Sequence, residues 1–374
     1  MPTANEALRD ATISHQVDLA QYSTHVVRRM IGVLNRADAD LSAALQGALA
    51  RMDGEAFTVE RLELVLSSVR AVNLAAYRAV ERELTEELAR FAEVEAGVQA
   101  DMLRAAVPEP VAAVVSFVRV EPAQVYAAAM ARPFQGRLLR EWAQHIEERR
   151  MWRIRETIRS GFTTGKTIDQ MVREVRGTRA AQYSDGIMNA SREEARSVVR
   201  TAIQHLAANV RDATHAENAD IIKAIKWSAT LDGRTSDGCR IRDGKQYRNT
   251  ERHEPIGHKI PWGGGPGKLH WNCRSSGVAV LKSLAELSGL DIGEDWPQST
   301  RASMDGQVPA DLSYGDWLKK QSAERQDEVV GPTRGKLMRE GKLPFDALYT
   351  DRGAALTLEQ LRERHPGAFR RAGV

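Results

Sequence analysis

Between Leu62 and Met102 an apolar residue recurs at every third or fourth position: Leu62, Val65, Val69, Val72, Ala76, Val80, Leu84, Leu88, Phe91, Val94, Val98 and Met102. That period matches one face of an α-helix. Glu and Arg fill the positions between, which gives the opposite face to water. A helix of about 48 residues at 1.5 Å per residue would be roughly 70 Å long, longer than an ordinary compact domain is wide. Such a helix must lie along a partner, either a second helix of this chain or another subunit. Residues 1 to about 106 read as helix throughout, and Pro108-Glu109-Pro110 then stops the run by removing donors and fixing φ.

A second helical block runs from Pro122 to Ser160 and breaks or kinks at Pro133. It ends in an arginine-dense stretch with Arg149, Arg150, Arg153, Arg155 and Arg159, and Trp142 and Trp152 lie in the same segment. Arginines interleaved with aromatics suit a nucleic-acid backbone or an acidic protein surface. Glu141, Glu147, Glu148 and Glu156 stand among them, so pairs three or four residues apart on a solvated face explain the stretch equally well. Gly161 to Thr167 (GFTTGKT) has three residues between its glycines where a phosphate-binding loop needs four, and a charged helix precedes it in place of a buried strand. A helix connection is expected there, with Gly161 as the stop and Thr164 or Thr167 capping the next helix. A further helix is expected from Ser191, where Ser-Arg-Glu-Glu has the form of a capping box with Glu194.

From Ile221 the pattern changes. Ile221 to Thr230 alternates weakly and reads as a strand, and residues 232–277 are rich in glycine and turn residues. Beyond Gln298 the chain returns to short helices and polar linkers: Tyr314 to Gln326, Arg334 to Glu340 and Leu358 to Glu363. The fold class expected is mainly α with a small loop-rich α+β module, long N-terminal amphipathic helices and an irregular C-terminal tail. Four regions follow: an extended helical region 1–107, a helical domain with the arginine-rich helix 108–220, the loop-rich module 221–290 and a tail 291–374. A length of 374 residues is consistent with two or three domains.

The balance of 53 Lys+Arg against 50 Asp+Glu, a formal charge of +3, argues against a wholesale nucleic-acid coat. No apolar run is long enough for a membrane span. Glu6, Arg9, Asp10 and Asp18 interrupt the first twenty residues, so no secretory leader is expected.

Both cysteines fall inside the loop-rich module. Cys239 follows Asp232-Gly-Arg-Thr-Ser-Asp-Gly, and Cys273 closes His270-Trp-Asn-Cys. Cys239, His270 and Cys273 together offer three soft ligands, and zinc would take a fourth from Asp237, His253, His258 or water. A Cys239–Cys273 disulfide, a nucleophilic cysteine with His270 as base, and two unlinked thiols are the competing readings. No partner in the sequence supplies an oxyanion hole or an orienting acid, so no catalytic residue is assigned. Asp232 to Gly244 lacks the ligand spacing of a calcium loop. Trp262-Gly-Gly-Gly-Pro-Gly267 lacks the strand-to-helix setting of a dinucleotide fingerprint.

Three segments, Trp227-Ser-Ala-Thr-Leu-Asp-Gly-Arg-Thr-Ser-Asp-Gly-Cys239, Asp243-Gly-Lys245 and His270-Trp-Asn-Cys-Arg274, resemble the Mu F-like phage head morphogenesis proteins. The Gly161–Gly165 turn, Arg200-Thr201 and the Tyr314-Gly-Asp-Trp-Leu segment are similar to pieces of the same family, so the resemblance spans roughly residues 150 to 345. Ser236 and Ser275 stand where that pattern often has two further cysteines. The resemblance implies metal-binding or cross-linking positions at Cys239, His270 and Cys273. It also implies a structural polar clamp from Asp232, Arg234, Asp243, Lys245 and Arg274. It further implies a non-enzymatic virion component, made in the host cytoplasm and sited in the capsid interior or at the portal vertex. Its partners would be the portal protein, other capsid components and double-stranded phage DNA, and it would assist head assembly and packaging or leave with the genome. The other classes of function carried by the sequence are an enzyme or toxin-like module using the Cys239/His270/Cys273 region, and a cytosolic DNA-binding protein.

Overall fold

The computed structural model describes residues 4–52, 58–107, 112, 115–283, 286, 300–309 and 311–374. The Pro108–Pro110 stop and the 290/291 region boundary lie outside them. The chain is mainly α with one small antiparallel sheet. It divides into two compact units, one of residues 1–18, 92–125 and 207–374, the other of residues 19–91 and 126–206.

The N-terminal region forms α1 (Ala4–Ala50), α2 (Val59–Val65) and α3 (Ser67–Ala106), so the long stripe is helix apart from a break at Leu66. Thr58 starts α2 by accepting from the N–H of Arg61 at 3.2 Å. The partner that the stripe requires is a helix of the same chain. Within the second unit Tyr22 of α1 stacks on Phe91 of α3 at 4.9 Å, and Tyr22 and Arg29 both donate to Glu87, at 2.9 and 2.7 Å. Within the first unit His15 meets Glu95 at 2.8 Å, and Gln99 donates to the same carboxylate at 2.7 Å. Towards the end of α3 the buried face moves off the expected stripe. Val94 is 65% exposed, while Ala92, Ala96 and Leu103 are buried. The α-helical repeat is not an even alternation of threes and fours, so a face read by spacing alone drifts over many turns.

The next two elements, α4 (Pro122–Met130) and α5 (Leu139–Thr163), are separate helices, parted around Pro133 by a tight Phe134–Arg137 turn. They are followed by α6 (Ile168–Arg176), whose Thr167 cap accepts from the N–H of Gln170. Gly161 does not stop α5. The helix runs on to Thr163, and the turn is made by Gly165 at φ +70°. Gly161 instead lets α6 approach: a Cβ there would lie 2.3 Å from Met171 Sδ. Met171, Val172 and Val175 are buried in a core with Ile154, Ile158, Leu45 and Leu62.

The next helix, α7 (Ile187–Glu217), begins before Ser191. The Ser191 hydroxyl donates back to Ile187 O at 3.0 Å, so it sits in the helix interior, and Glu194 pairs with Arg153 in place of closing a cap. The apolar face of α7 from Ala195 through Val210 is buried as its spacing requires.

The rest of the chain belongs to the first unit. The sheet has the order β3 (Pro255–Ile256), β2 (Gln246–Arg248), β1 (Ile222–Ser228), β4 (Ser276–Leu281), all antiparallel. Between β1 and β2 lies the short helix α8 (Asp237–Arg240). Trp227, Tyr247, Trp262, Cys239 and Cys273 share one core on this sheet.

The C-terminal stretch adds a hairpin, β5 (Thr300–Ser303) and β6 (Gly306–Pro309), which the sequence pattern did not signal. Short helices follow: α9 (Tyr314–Lys319), α10 (Ala323–Val330), α11 (Pro332–Arg339), a 3-10 turn (Phe345–Leu348), α12 (Leu358–Arg364) and α13 (Pro366–Ala372). Their apolar residues, including Trp317, Leu318, Leu337, Phe345 and Phe369, pack with Leu231, Ile241 and Ile260 of the module. The tail is thus a packed extension of the module. Each helix is too short to show a period, so its burial is legible only in three dimensions.

Candidate functional site

The module is organised by Asp232 and Asp243. Asp232 accepts from the backbone N–H of Arg234 at 3.0 Å and the Thr235 hydroxyl at 3.1 Å, the local turn chemistry that aspartate favours. Its two oxygens also take a bidentate pair from Arg274, at 2.5 and 2.8 Å. Burial pushes the Asp232 carboxyl up, and the Arg274 guanidinium overrides this and holds it below its ordinary value. Arg274 stands just before β4, so the clamp ties the loop after β1 to the start of the neighbouring strand.

Asp243 accepts from the N–H of Ala229 at 2.8 Å with one oxygen and from the N–H of Tyr314 at 2.9 Å with the other. Tyr314 returns a hydrogen bond from its hydroxyl to Asp232 O at 2.8 Å. The two aspartates therefore fasten β1, the Asp232 loop and α9 together.

The remaining clamp candidates divide. Lys245 contributes its backbone, which accepts from the N–H of Trp227 at 2.9 Å, and its ammonium lies 3.5 Å from Asp346. The Arg234 side chain is 87% exposed and 3.8 Å from Asp232, so only its backbone belongs to the clamp. The short Gly-Arg-Thr turn spends the Arg234 N–H on Asp232, while its Cβ points to water.

Two further arginines carry roles that composition did not reveal. Arg240 donates to Val329 O and Gly233 O, and Arg242 donates to Pro261 O and Gly238 O while lying over the Trp227 ring at 5.5 Å. Their only sequence signal was the dense Cys-Arg-Ile-Arg-Asp run.

Beside the clamp lies the sulfur cluster. Ser236 caps α8 and places Cys239 in its first turn. A turn closed by the Cys273 N–H on His270 O, with Asn272 at φ +53°, brings His270 and Cys273 to one side. Cys239 Sγ is 3.3 Å from His270 Nε2 and 3.7 Å from Cys273 Sγ. Both thiols are buried and unlinked, while His270 is half-buried. A hydrogen bond from the Cys239 thiol, with His270 adding to it, lowers the Cys273 thiol below its ordinary value. The same bond, reinforced by burial, raises Cys239. The hydrogen bond to Cys273 raises the His270 imidazole.

Asp237, His253 and His258 do not join the cluster. Asp237 accepts from the Tyr349 hydroxyl, His253 stacks on Trp262, and His258 bonds Gln246 O while accepting from the N–H of Ile260. Among the described residues, Cys239, His270 and Cys273 form the one group of three or more such side chains placed to hold a metal ion.

The arginine-rich helix α5 lies apart from this module in sequence and has its own partners. Arg150 is 1% exposed and pairs with Asp38, which Arg192 also grips at 2.5 Å. Arg149 and Arg153 reach Glu194 at 3.5 and 3.0 Å, Arg155 reaches Glu63 at 3.2 Å, and Arg159 reaches Glu156 at 2.7 Å. Trp152 beside them is 57% exposed. No helix among the described residues is long and apolar enough to cross a membrane.

No curated protein and no solved structure matches the chain. A family model does: residues 152–278, which run from α5 through the sulfur cluster into β4, match the model described as Phage Mu protein F like protein. That segment, which holds both aspartate anchors and all three sulfur and imidazole groups, is where the chain is similar to the Mu F-like family.

Proposed function

We propose that the protein is a structural component of a phage head, sited in the capsid interior or at the portal vertex, where it assists head assembly and genome packaging. The observation that carries this is the Mu F-like match over residues 152–278. The wiring of the matched polar residues supports a structural reading over a catalytic one. Asp232, Asp243 and Arg274 each spend their charge on holding the loops of the module together. A carboxylate whose two oxygens both accept from internal donors is poorly placed to move a proton to or from a substrate.

Portal and other capsid proteins are the partners we assign. The arginine helix favours protein over DNA as its neighbour, because each of its five arginines already faces a carboxylate of this chain. A helix bound chiefly to phosphates would keep those guanidiniums free, and its affinity would fall steeply with salt. Mass spectrometry of purified virions and of emptied ghosts tests the reading. The protein is expected in full particles, and its loss from ghosts would mark it as ejected with the genome. Absence from both preparations overturns the proposal.

A further inference from the structure

The geometry points to a zinc site formed by Cys239, His270 and Cys273, with water as the fourth ligand. This stands on the local geometry alone and holds whether or not the chain is a head protein.

Four ligands around a tetrahedral zinc, with sulfurs at about 2.3 Å and an imidazole nitrogen at about 2.0 Å, lie about 3.8 Å apart for two sulfurs and about 3.5 Å for sulfur and nitrogen. The observed separations are 3.7 Å between Cys239 and Cys273 and 3.3 Å between Cys239 and His270. All three donor atoms fall within 4.8 Å of one another. A disulfide needs sulfurs at about 2.05 Å, so the cysteines stand at ligand distance and not at bonding distance.

The imidazole supplies a second, independent observation. His270 Nδ1 lies 2.9 Å from Trp271 O, an acceptor that can bond only an N–H. That contact puts the proton of the neutral ring on Nδ1 and turns the Nε2 lone pair towards the sulfurs, the arrangement in which histidine binds metals. Two thiolates neutralise a divalent cation, so the loaded site carries no net charge into the core that surrounds Cys239 and Cys273. Two soft sulfurs and one imidazole in a tetrahedral frame select zinc over magnesium or calcium. Ser236 Oγ accepts from the Cys239 N–H at 3.4 Å, and no fourth His, Cys, Asp or Glu among the described residues joins the group, which leaves water for the open position.

The test uses the full chain purified under reductant. Wild-type protein is expected to hold close to one zinc per chain, and cobalt exchanged into it should show thiolate-to-cobalt charge-transfer bands. Cys273→Ser should lower zinc affinity by more than about a hundredfold, beyond the roughly 10–100-fold typical of losing an outer-shell partner. Cys273 is fully buried, so His270→Ala, at a half-buried position, serves as the second variant and should lose zinc while its helical circular dichroism is kept. A folded wild type that holds no more zinc than these variants and gives no cobalt–thiolate band overturns the inference. Recovery of a Cys239–Cys273 disulfide from that preparation overturns it as well.

Discussion

Asp232→Ala is the substitution that most directly probes the clamp. Asp232 is 9% exposed, and its carboxylate takes two guanidinium donors from Arg274, one backbone N–H from Arg234 and one hydroxyl from Thr235. Breaking a buried ion pair by removing one member costs about 3–5 kcal/mol, because the other charge is left without a partner. Here the Arg274 side chain is 32% exposed, so water recovers part of that loss and about 2–3 kcal/mol remains. The Arg234 N–H, which also loses its acceptor, adds about 1 kcal/mol, while the Thr235 hydroxyl keeps Thr230 O at 2.6 Å. The expected destabilisation is therefore about 3–4 kcal/mol, read as a fall in the urea midpoint of the tryptophan signal at unchanged slope. Trp227, Trp262 and Trp317 all report from the unit that contains the clamp. Arg274→Ala and the double variant complete a cycle with a coupling energy of about 1.5–3 kcal/mol. A cost below about 1 kcal/mol, or strict additivity of the two substitutions, would show a pair that behaves like an exposed surface bridge and would refute the clamp.

Three other expectations follow from the same physics. Gly161→Ala should gain about 1 kcal/mol of helix propensity, yet its new Cβ would meet Met171 Sδ at 2.3 Å and incur an overpacking cost of about 1–3 kcal/mol. Net destabilisation in thermal unfolding, relieved by pairing the change with Met171→Ala, is the expected result; simple stabilisation would mean the helices are not in contact there. Asp38→Ala should cost about 3–5 kcal/mol, because it strands the 1% exposed Arg150, and urea unfolding of the variant measures this directly. His215 is buried and desolvation holds its imidazole down to about 4, against an ordinary 6.5. The unfolded chain then binds the proton first, so stability is full above pH 6.5 and falls as pH drops towards 4, by about 2 kcal/mol at pH 5. His215→Leu should flatten that window in urea titrations at pH 7 and pH 5, and an unchanged slope would sink the assignment.

The helices with a long periodic face were legible from the chain itself. The stripe from Leu62 to Leu88, apart from a half-buried Val72, and the α7 face from Ala195 to Val210 are buried as spacing required, because a helix repeats the same geometry at every turn. Boundaries were less so. Ser191 has the residues of a cap and lies inside a helix, since its hydroxyl can satisfy Ile187 O as readily as a free N–H. Gly161 reads as a helix stop, but only the facing Met171 shows that a side chain there must displace a neighbour.

At the site, residue types and spacing were enough to single out Cys239, His270 and Cys273, and the local turns enforce their approach. Composition alone could not separate Arg274, which grips Asp232, from Arg234, which points to water two residues from that aspartate. Nor could it foresee that Tyr314, far along the chain, would close the hydrogen-bond ring from Asp243 to Asp232. The sequence determined the helical class and the long amphipathic face, because these rest on interactions between near neighbours. The tertiary structure decided which charges are spent on one another and which face solvent, because that depends on burial and distance between segments that no local pattern encodes.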